Sequence, residues 1–256
     1  MALPSLAAHR SSPSPWRVVE AELAAWAAAG RAASFWWRDD DAIAPSAALD
    51  RLLAVSIPLS LAVIPQAAEP VLARHLSGVS HVRIVQHGIA HRNHAALGAK
   101  RTELVADLSP QALCEAAARL ADLFGSLVLP VLVPPWNRIA PELVAALPGI
   151  GVTGLSTFGP RRQRLAAPGL VQVNTHADPV DWRARRARSA EEFATAVADT
   201  LALRRLGQAD AAEPLGLLTH HRLDDPAAWA LAADLASIVT AHPAARWVAL
   251  EEALAA

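Results

Sequence analysis

Apolar positions along this chain switch repeatedly between helical spacing and short continuous runs. Residues 1–14 are Ser/Pro-rich and are expected to be loose. Ser14-Pro15 then supplies an N-cap and a first-turn proline. Val18, Val19, Leu23 and Trp26 keep helical spacing, and Gly30 stops the helix. Ala33 to Trp37 is an apolar run that ends in Arg38-Asp39-Asp40-Asp41, the pattern of a buried strand with a polar carboxyl end. Ser46 caps a helix through Val55, Leu59 to Ile64 is a strand closed by Pro65, and Ala67 to Leu76 is helical. Val82 to Val85 is a strand running into Gln86-His87-Gly88. Ser109-Pro110 opens a helix to Phe124, and Val128 to Val133 is a strand stopped by Pro134-Pro135. Pro141 to Leu147 is helical, with Val152 to Leu155 and Leu170 to Val173 as strands after it. Ser189 caps a helix reaching about Leu206. Leu215 to Thr219 is a strand ending in His220-His221, Pro226 starts a helix toward Val239, and Trp247 to Leu250 is a last strand.

Strands alternating with helices imply βα units and a mostly parallel sheet. About seven such units suit one closed or nearly closed α/β barrel over residues 15–256 better than two domains. Composition agrees with a packed globule. The 256 residues are 53% hydrophobic and 18% charged, against about 25% charged in an average domain. The net charge of −1 removes the electrostatic argument for a nucleic-acid or anionic-membrane partner. Cys114 is the single cysteine, which excludes an internal disulfide and a cysteine-based zinc site; it lies in an Ala-rich helix and is expected to be inert core. The apolar run Leu127 to Val133 is far shorter than the ~20 residues a membrane-spanning helix needs. The opening MALPSLAAHRSSPSPW lacks a charged region followed by an apolar one, so a cytoplasmic location is expected.

The chemistry-bearing side chains fall at strand ends, and in parallel α/β folds those ends share one face. Three carboxylates in a row, Asp39, Asp40 and Asp41, repel one another and call for a cation or a raised pKa; a solvated turn is the bland alternative. His87 and His91, in HGIAH, place two imidazoles on one side of a helical turn, close enough to share an ion, with His91 and His94 as a competing pair. Two histidines and one carboxylate make a facial set that leaves positions open. His9, His75, His81 and His242 are assigned no site role. Pro134-Pro135-Trp136 fixes a rigid strand exit that can aim a backbone N–H at an oxyanion. Asp178 and Asp181-Trp182, in HADPVDW, follow a strand, and an aspartate there could orient a histidine across the site. His220, at the end of LGLLT, is held as rigidly as a general acid needs to be. Each motif alone also has an ordinary structural explanation.

In this order the pieces resemble the polysaccharide deacetylase family, the NodB-type homology domain also described as carbohydrate esterase family four, over about Phe35 to His221. The resemblance implies a distorted (β/α) barrel. The family's paired aspartates, base then metal ligand, correspond to Asp39-Asp40 or Asp40-Asp41, and Asp40 belongs to the pair in either register. The family's H-x-x-x-H corresponds to His87 and His91, the other two ligands. Its Arg-Pro-Pro-Tyr/Trp-Gly corresponds to Pro134, Pro135 and Trp136, with Val133 in the arginine position and Asn137 in the glycine position. Arg38 and Arg138 are the candidates to replace that arginine, whose usual task is to tether the catalytic aspartate. Asp181 and Trp182 match the fourth motif and His220 the fifth.

The implied activity is metal-dependent hydrolysis of a C–N amide bond, foremost N-deacetylation of an acetylated amino sugar or sugar conjugate. The metal would lower the pKa of water, an aspartate would take its proton, the Trp136 N–H would hold the oxyanion, and His220 would protonate the leaving amine. The expected cofactor is a divalent ion, zinc first, with Co, Ni, Mn or Fe also fitting one Asp and two His. The expected partner is a small-molecule or glycan substrate, with no nucleic acid and no stable membrane insertion. Two other readings use the same barrel. One is a non-catalytic carbohydrate-binding protein, suggested by the altered third motif and by tryptophans near strand ends; the other is a non-sugar amidohydrolase.

Overall fold

The computed structural model describes residues 14–256; the expected loose segment lies outside these, apart from Ser14. Alternation along the first strand organises the molecule. In β1 (Ala33–Ala42), Phe35 and Trp37 point to one face and Trp36 to the other, and all three are buried. Phe35 and Trp37 join the large outer core, packed under α1 (Arg17–Ala28), α6 (Ala190–Arg205) and α7 (Pro226–Ala241). Trp36 joins a smaller inner core with Ala62, Val85, Val131, Val133 and Val173. A sheet buried on both faces explains why the strands are largely apolar on both.

Parallel pairing runs from β10 (Leu215–Thr219) through β1, β2 (Leu59–Val63), β3 (Val82–His87), β4 (Val128–Val133) and β5 (Gly154–Leu155) to β7 (Leu170–Gln172). The short β6 (Leu165–Ala167) is antiparallel to β7, and β11 (Ala245–Trp247) pairs with the start of β1. The ring closes between the segment after β7 and β10 through the bridge Ala177 to Leu217, where the Ala177 N–H donates to the Gly216 carbonyl (3.0 Å). The result is a distorted (β/α) barrel.

Helix starts follow local chemistry. Ser46 Oγ accepts from the Leu49 N–H ahead of α2 (Ala47–Leu53), and Ser109 does the same for Gln111 ahead of α4 (Pro110–Phe124). Ser189 and Glu192 form a capping box on α6. Three expectations shift. The first helix takes Trp16 as its N-cap residue in place of Ser14, with no side-chain capping bond. The last strand ends at Trp247, and residues from Leu250 form a helix instead. Finally, β1 does not stop at Trp37 but continues through the aspartates to Ala42. Three shorter elements complete the chain: α3 (Pro70–His75), α5 (Pro141–Ala146) and the hairpin of β8 (Val180–Asp181) with β9 (Arg186–Ala187). Among the described residues no helix is long and apolar enough to cross a membrane.

Candidate metal and active site

Because β1 runs on, its alternation sorts the polar residues. Arg38 and Asp40 share the inner face with Trp36, while Asp39 faces outward with Phe35 and Trp37. Asp39 pairs with Leu61 and Ala42 with Val63, so β1 carries one residue more than β2 between these pairs, a β-bulge. Asp41, at φ 71°, sits in it. The extra residue brings Asp40 and Asp41 to the same mouth.

Of the two expected registers, Asp39-Asp40 and Asp40-Asp41, only the second puts both of its aspartates at the mouth. Asp39 is fully buried. Its Oδ2 accepts from Thr219 Oγ1 (2.6 Å) and the His221 N–H (3.0 Å), and its Oδ1 pairs with His221 Nδ1. Trp37 Nε1 donates to the same threonine hydroxyl (2.8 Å). Asp39 thus ties β1 to the end of β10 from the outside of the sheet, and the aspartates that share the mouth are Asp40 and Asp41.

Asp41, His87 and His91 offer ligand atoms that all lie within 4.8 Å of one another. Asp41 Oδ1 is 3.2 Å from His87 Nε2 and 3.4 Å from His91 Nε2. His87 is the last residue of β3, and its Nδ1 meets the Val133 carbonyl at 3.0 Å. That bond places the proton on Nδ1 and leaves the Nε2 lone pair facing Asp41. The histidines do not meet on a helical turn. Gly88 (φ 57°) and His91 (φ 57°) instead fold the segment back as a loop. Burial alone would raise the Asp41 carboxyl, but contact with His87 and the charges of His87, His220 and His91 hold it well below the ordinary range. Burial works against a charge on His87, yet Asp40 and Asp41 leave its pKa raised; burial leaves that of His91 lowered. Asp41 Oδ1 is buried and has no hydrogen-bond partner. An orphaned carboxylate oxygen facing two imidazole nitrogens is a donor set that fits a divalent cation. Asp40, also expected as a possible ligand, is not part of this cluster.

Asp40 is held from its own strand. Arg38, fully buried, donates from Nε to Asp40 Oδ1 (2.8 Å) and from Nη2 to Oδ2 (3.0 Å). The same guanidinium reaches Ser156 Oγ (2.7 Å) and Asn137 Oδ1 (3.0 Å). Arg138, the other expected substitute, points elsewhere, its Nη1 donating to the Arg101 carbonyl (3.0 Å). Pro134-Pro135 leads into Trp136 (φ 54°) and Asn137 (φ 56°), so the altered glycine position has left-handed backbone, which asparagine tolerates better than most residues. The Trp136 ring lies 4.4 Å from that of His91, and Trp182 lies edge-on to His220 at 4.8 Å. Asp178 is not hydrogen-bonded to a histidine. Its oxygens accept from the Val180 N–H (2.8 Å) and Trp182 Nε1 (2.7 Å), so it positions the tryptophan beside His220. Burial raises the Asp178 carboxyl. Asp181 turns its carboxylate onto the Arg183 and Ala184 N–H groups.

Glu103 has no counterpart in the sequence reading. Buried beneath the histidine loop, its carboxylate accepts from the N–H groups of Ile89 (3.0 Å), Ala90 (2.8 Å) and Arg92 (3.1 Å). A lone glutamate between Thr102 and Leu104 carries no periodic signal that would reveal this. A cavity of about 670 Å³ gathers these groups; Asp40, Asp41, His87, His91, Trp136 and His220 all line it. His94 stands outside the cluster, its Nδ1 on the Glu103 carbonyl.

No family model and no curated protein matches this chain by sequence. Solved structures do match by shape. A protein assigned as a polysaccharide deacetylase from Mycobacterium smegmatis superposes with TM-score 0.57 at 16% identity, over 86% of this chain and 87% of that one. A family 4 acetyl xylan esterase from Clostridium thermocellum, solved with a cobalt ion, gives 0.52 at 15%, over 87% and 90%. The peptidoglycan N-acetylglucosamine deacetylase Bc1960 gives 0.51 at 17%, over 90% and 96%. At these identities the likeness is one of fold, and the chain has the barrel fold that these carbohydrate deacetylases and esterases share.

Proposed function

We propose that the protein is a metal-dependent hydrolase of C–N amide bonds that removes the acetyl group from an acetylated amino sugar. One observation carries the reading. An Asp-His-His donor set, a carboxylate clamped by a buried arginine and a histidine on a rigid strand end all line one cavity. Asp41, His87 and His91 would hold the ion, with zinc the first choice. Bound there, a divalent ion supplies Lewis acidity toward a carbonyl oxygen and lowers the pKa of water. Asp40 accepts the proton of the attacking water while Arg38 fixes both of its oxygens. The Trp136 N–H is the assigned donor to the developing oxyanion, and His220 the assigned donor of a proton to the departing amine. The Arg38 clamp and the left-handed Asn137 meet the two requirements that the altered third motif put in question. That weakens the non-catalytic reading.

The test measures metal content and amine release on a panel of acetylated amino sugars and simple acetamides. Wild-type protein is expected to bind one equivalent of zinc and release amine. His87→Ala should lose the metal. His220→Ala should keep it, with amine release lowered by roughly 10²- to 10⁴-fold. Wild-type activity in both variants would overturn the assignment. Turnover of acetamides without a sugar would move it to a general amidohydrolase.

A further inference from the structure

Four arginines, Arg101, Arg138, Arg183 and Arg188, line the cavity together with four aspartates, Asp40, Asp41, Asp178 and Asp181. Among the described residues none of the four arginines is ion-paired. Arg38, Arg83, Arg161, Arg186, Arg205 and Arg246, by contrast, each hold a carboxylate. Two of the mouth arginines are anchored by neutral groups only. Arg138 donates to the Arg101 carbonyl (3.0 Å) and Arg188 Nε to the Asp178 carbonyl (3.0 Å). These bonds hold the two guanidiniums in place without pairing either with a carboxylate, although the Asp181 charge reaches Arg188. The carboxylates of the cavity are engaged elsewhere: Asp40 by Arg38, Asp41 in the donor set, and Asp178 by Trp182 and a backbone N–H. Asp181 alone faces the arginines, and it is satisfied by backbone N–H groups.

We propose that this mouth selects substrates carrying a phosphate-class anion, so that the acetylated sugar taken is phosphate- or diphosphate-linked and not a neutral glycan. The inference rests on the hydrolase reading for the sugar, and on the arginines alone for the anion. One guanidinium already satisfies a carboxylate through two parallel bonds. Four in one cavity lining, Arg101 and Arg138 joined by their hydrogen bond, Arg183 in the turn between β8 and β9 and Arg188 just after β9, offer enough donors for the larger number of acceptor oxygens on a phosphate or diphosphate. Trp136 beside His91 and Trp182 beside His220 line the same cavity and offer aromatic surface for a sugar ring.

The experiment titrates zinc-loaded protein with three probes: neutral di-N-acetylchitobiose, N-acetylglucosamine 1-phosphate and UDP-N-acetylglucosamine. Binding is followed by tryptophan fluorescence and turnover by amine release. The phosphate-bearing probes are expected to bind at least roughly tenfold more tightly, as a few charge-assisted hydrogen bonds require. Their affinity should fall between about 50 and about 500 mM NaCl, whereas that of chitobiose should not. In the double variant Arg101→Ala/Arg183→Ala the preference should shrink toward unity. Both side chains are exposed, so circular dichroism is expected to match wild type. A polyprenyl-diphosphate-linked N-acetylglucosamine in detergent forms a fourth arm. Binding of this form alone assigns the anion to a lipid headgroup, and binding of the soluble probes assigns it to a free sugar phosphate. Equal, salt-independent binding of neutral and phosphorylated probes overturns the inference. Efficient deacetylation of chitobiose would then leave the hydrolase reading standing. Arginine-dependent binding with no amine released from any probe would instead sink the hydrolase reading and keep this one.

Discussion

Replacing Arg38 with methionine tests whether Asp40 depends on its intrastrand clamp. Arg38 is fully buried, and Asp40 is 3% exposed and opens only onto the cavity. Arg38→Met removes both bonds to Asp40 and strands a carboxylate inside the barrel mouth, with Ser156 Oγ and Asn137 Oδ1 losing their donor as well. Breaking one side of a buried pair costs about 3–5 kcal/mol. At ~2–4 °C per kcal/mol for a chain of this size, Tm should drop by roughly 6–20 °C. Asp40→Asn strands the guanidinium instead and should cost a comparable amount. The double variant Arg38→Met/Asp40→Asn buries no charge, so its loss should fall well short of the sum. Urea unfolding with EDTA present reads the cycle without metal linkage. If the two single losses add to within about 0.5 kcal/mol, the clamp is not an energetic unit and its assigned role fails. Arg38→Lys should fall between, since one ammonium keeps the charge but cannot span both Asp40 oxygens and Asn137 together.

Three other outcomes separate the roles assigned here. Asp39→Asn should destabilise the fold, because Asp39 is the shared acceptor for Thr219 and His221, yet keep zinc binding; Asp41→Asn should do the reverse, and zinc loss in Asp39→Asn by chelator competition would restore the other aspartate register. Gly88→Ala would place a Cβ 2.1 Å from Glu103 Oε2 and 2.6 Å from Pro135 in left-handed backbone, so zinc affinity should fall by roughly 10- to 100-fold; unchanged affinity would show that the loop under His91 tolerates displacement. His176 is buried with the Gly216 N–H donating to its Nδ1, and burial, outweighing Glu213, lowers its pKa from 6.5. A lowered imidazole leaves the unfolded chain binding more protons, so this contribution is complete above pH 6.5 and is lost as pH falls toward the folded value; urea unfolding of His176→Gln should show a flatter acid slope than wild type, and parallel curves would count against a neutral His176.

The barrel was legible because its strands are buried on both faces, which makes them largely apolar runs such as Leu59–Val63 and Leu215–Thr219, and because Ser and Pro mark helix starts. What escaped was geometry without a compositional signature. Nothing in Arg38-Asp39-Asp40-Asp41 announces that the strand continues, yet its alternation alone turns Asp39 away from the mouth. The bulge that brings Asp41 back is a mismatch of register with β2, a property of two strands together. The H-x-x-x-H spacing suggested a helical turn, while the closure comes from Gly88 and from Glu103, a residue distant from both histidines in sequence. The hairpin from Val180 to Ala187 was invisible because its strands are too short to show a period.

The third motif shows why a missing residue is weak evidence for a missing function. Judged by position, Val133 and Asn137 are losses: the guanidinium that should steady the aspartate is gone, and a side chain stands where glycine is expected. Judged by geometry, each demand is met from another place. Val133 lies in the inner core against Trp36 and Val85, where an arginine would have to bury its charge among apolar groups. The guanidinium comes from β1, two residues from the carboxylate it holds and therefore on the same face. Asn137 keeps the left-handed turn and adds an acceptor for that same arginine. The substitutions belong together, because a clamp on β1 needs a partner at the turn, and a glycine would not supply one. Arg38 and Asn137 thus form one unit. Asn137→Gly alone should therefore loosen the clamp, destabilising the metal-free protein by about 1–3 kcal/mol, although it restores the glycine of the motif that the sequence resembles. A more stable Asn137→Gly variant would break the link.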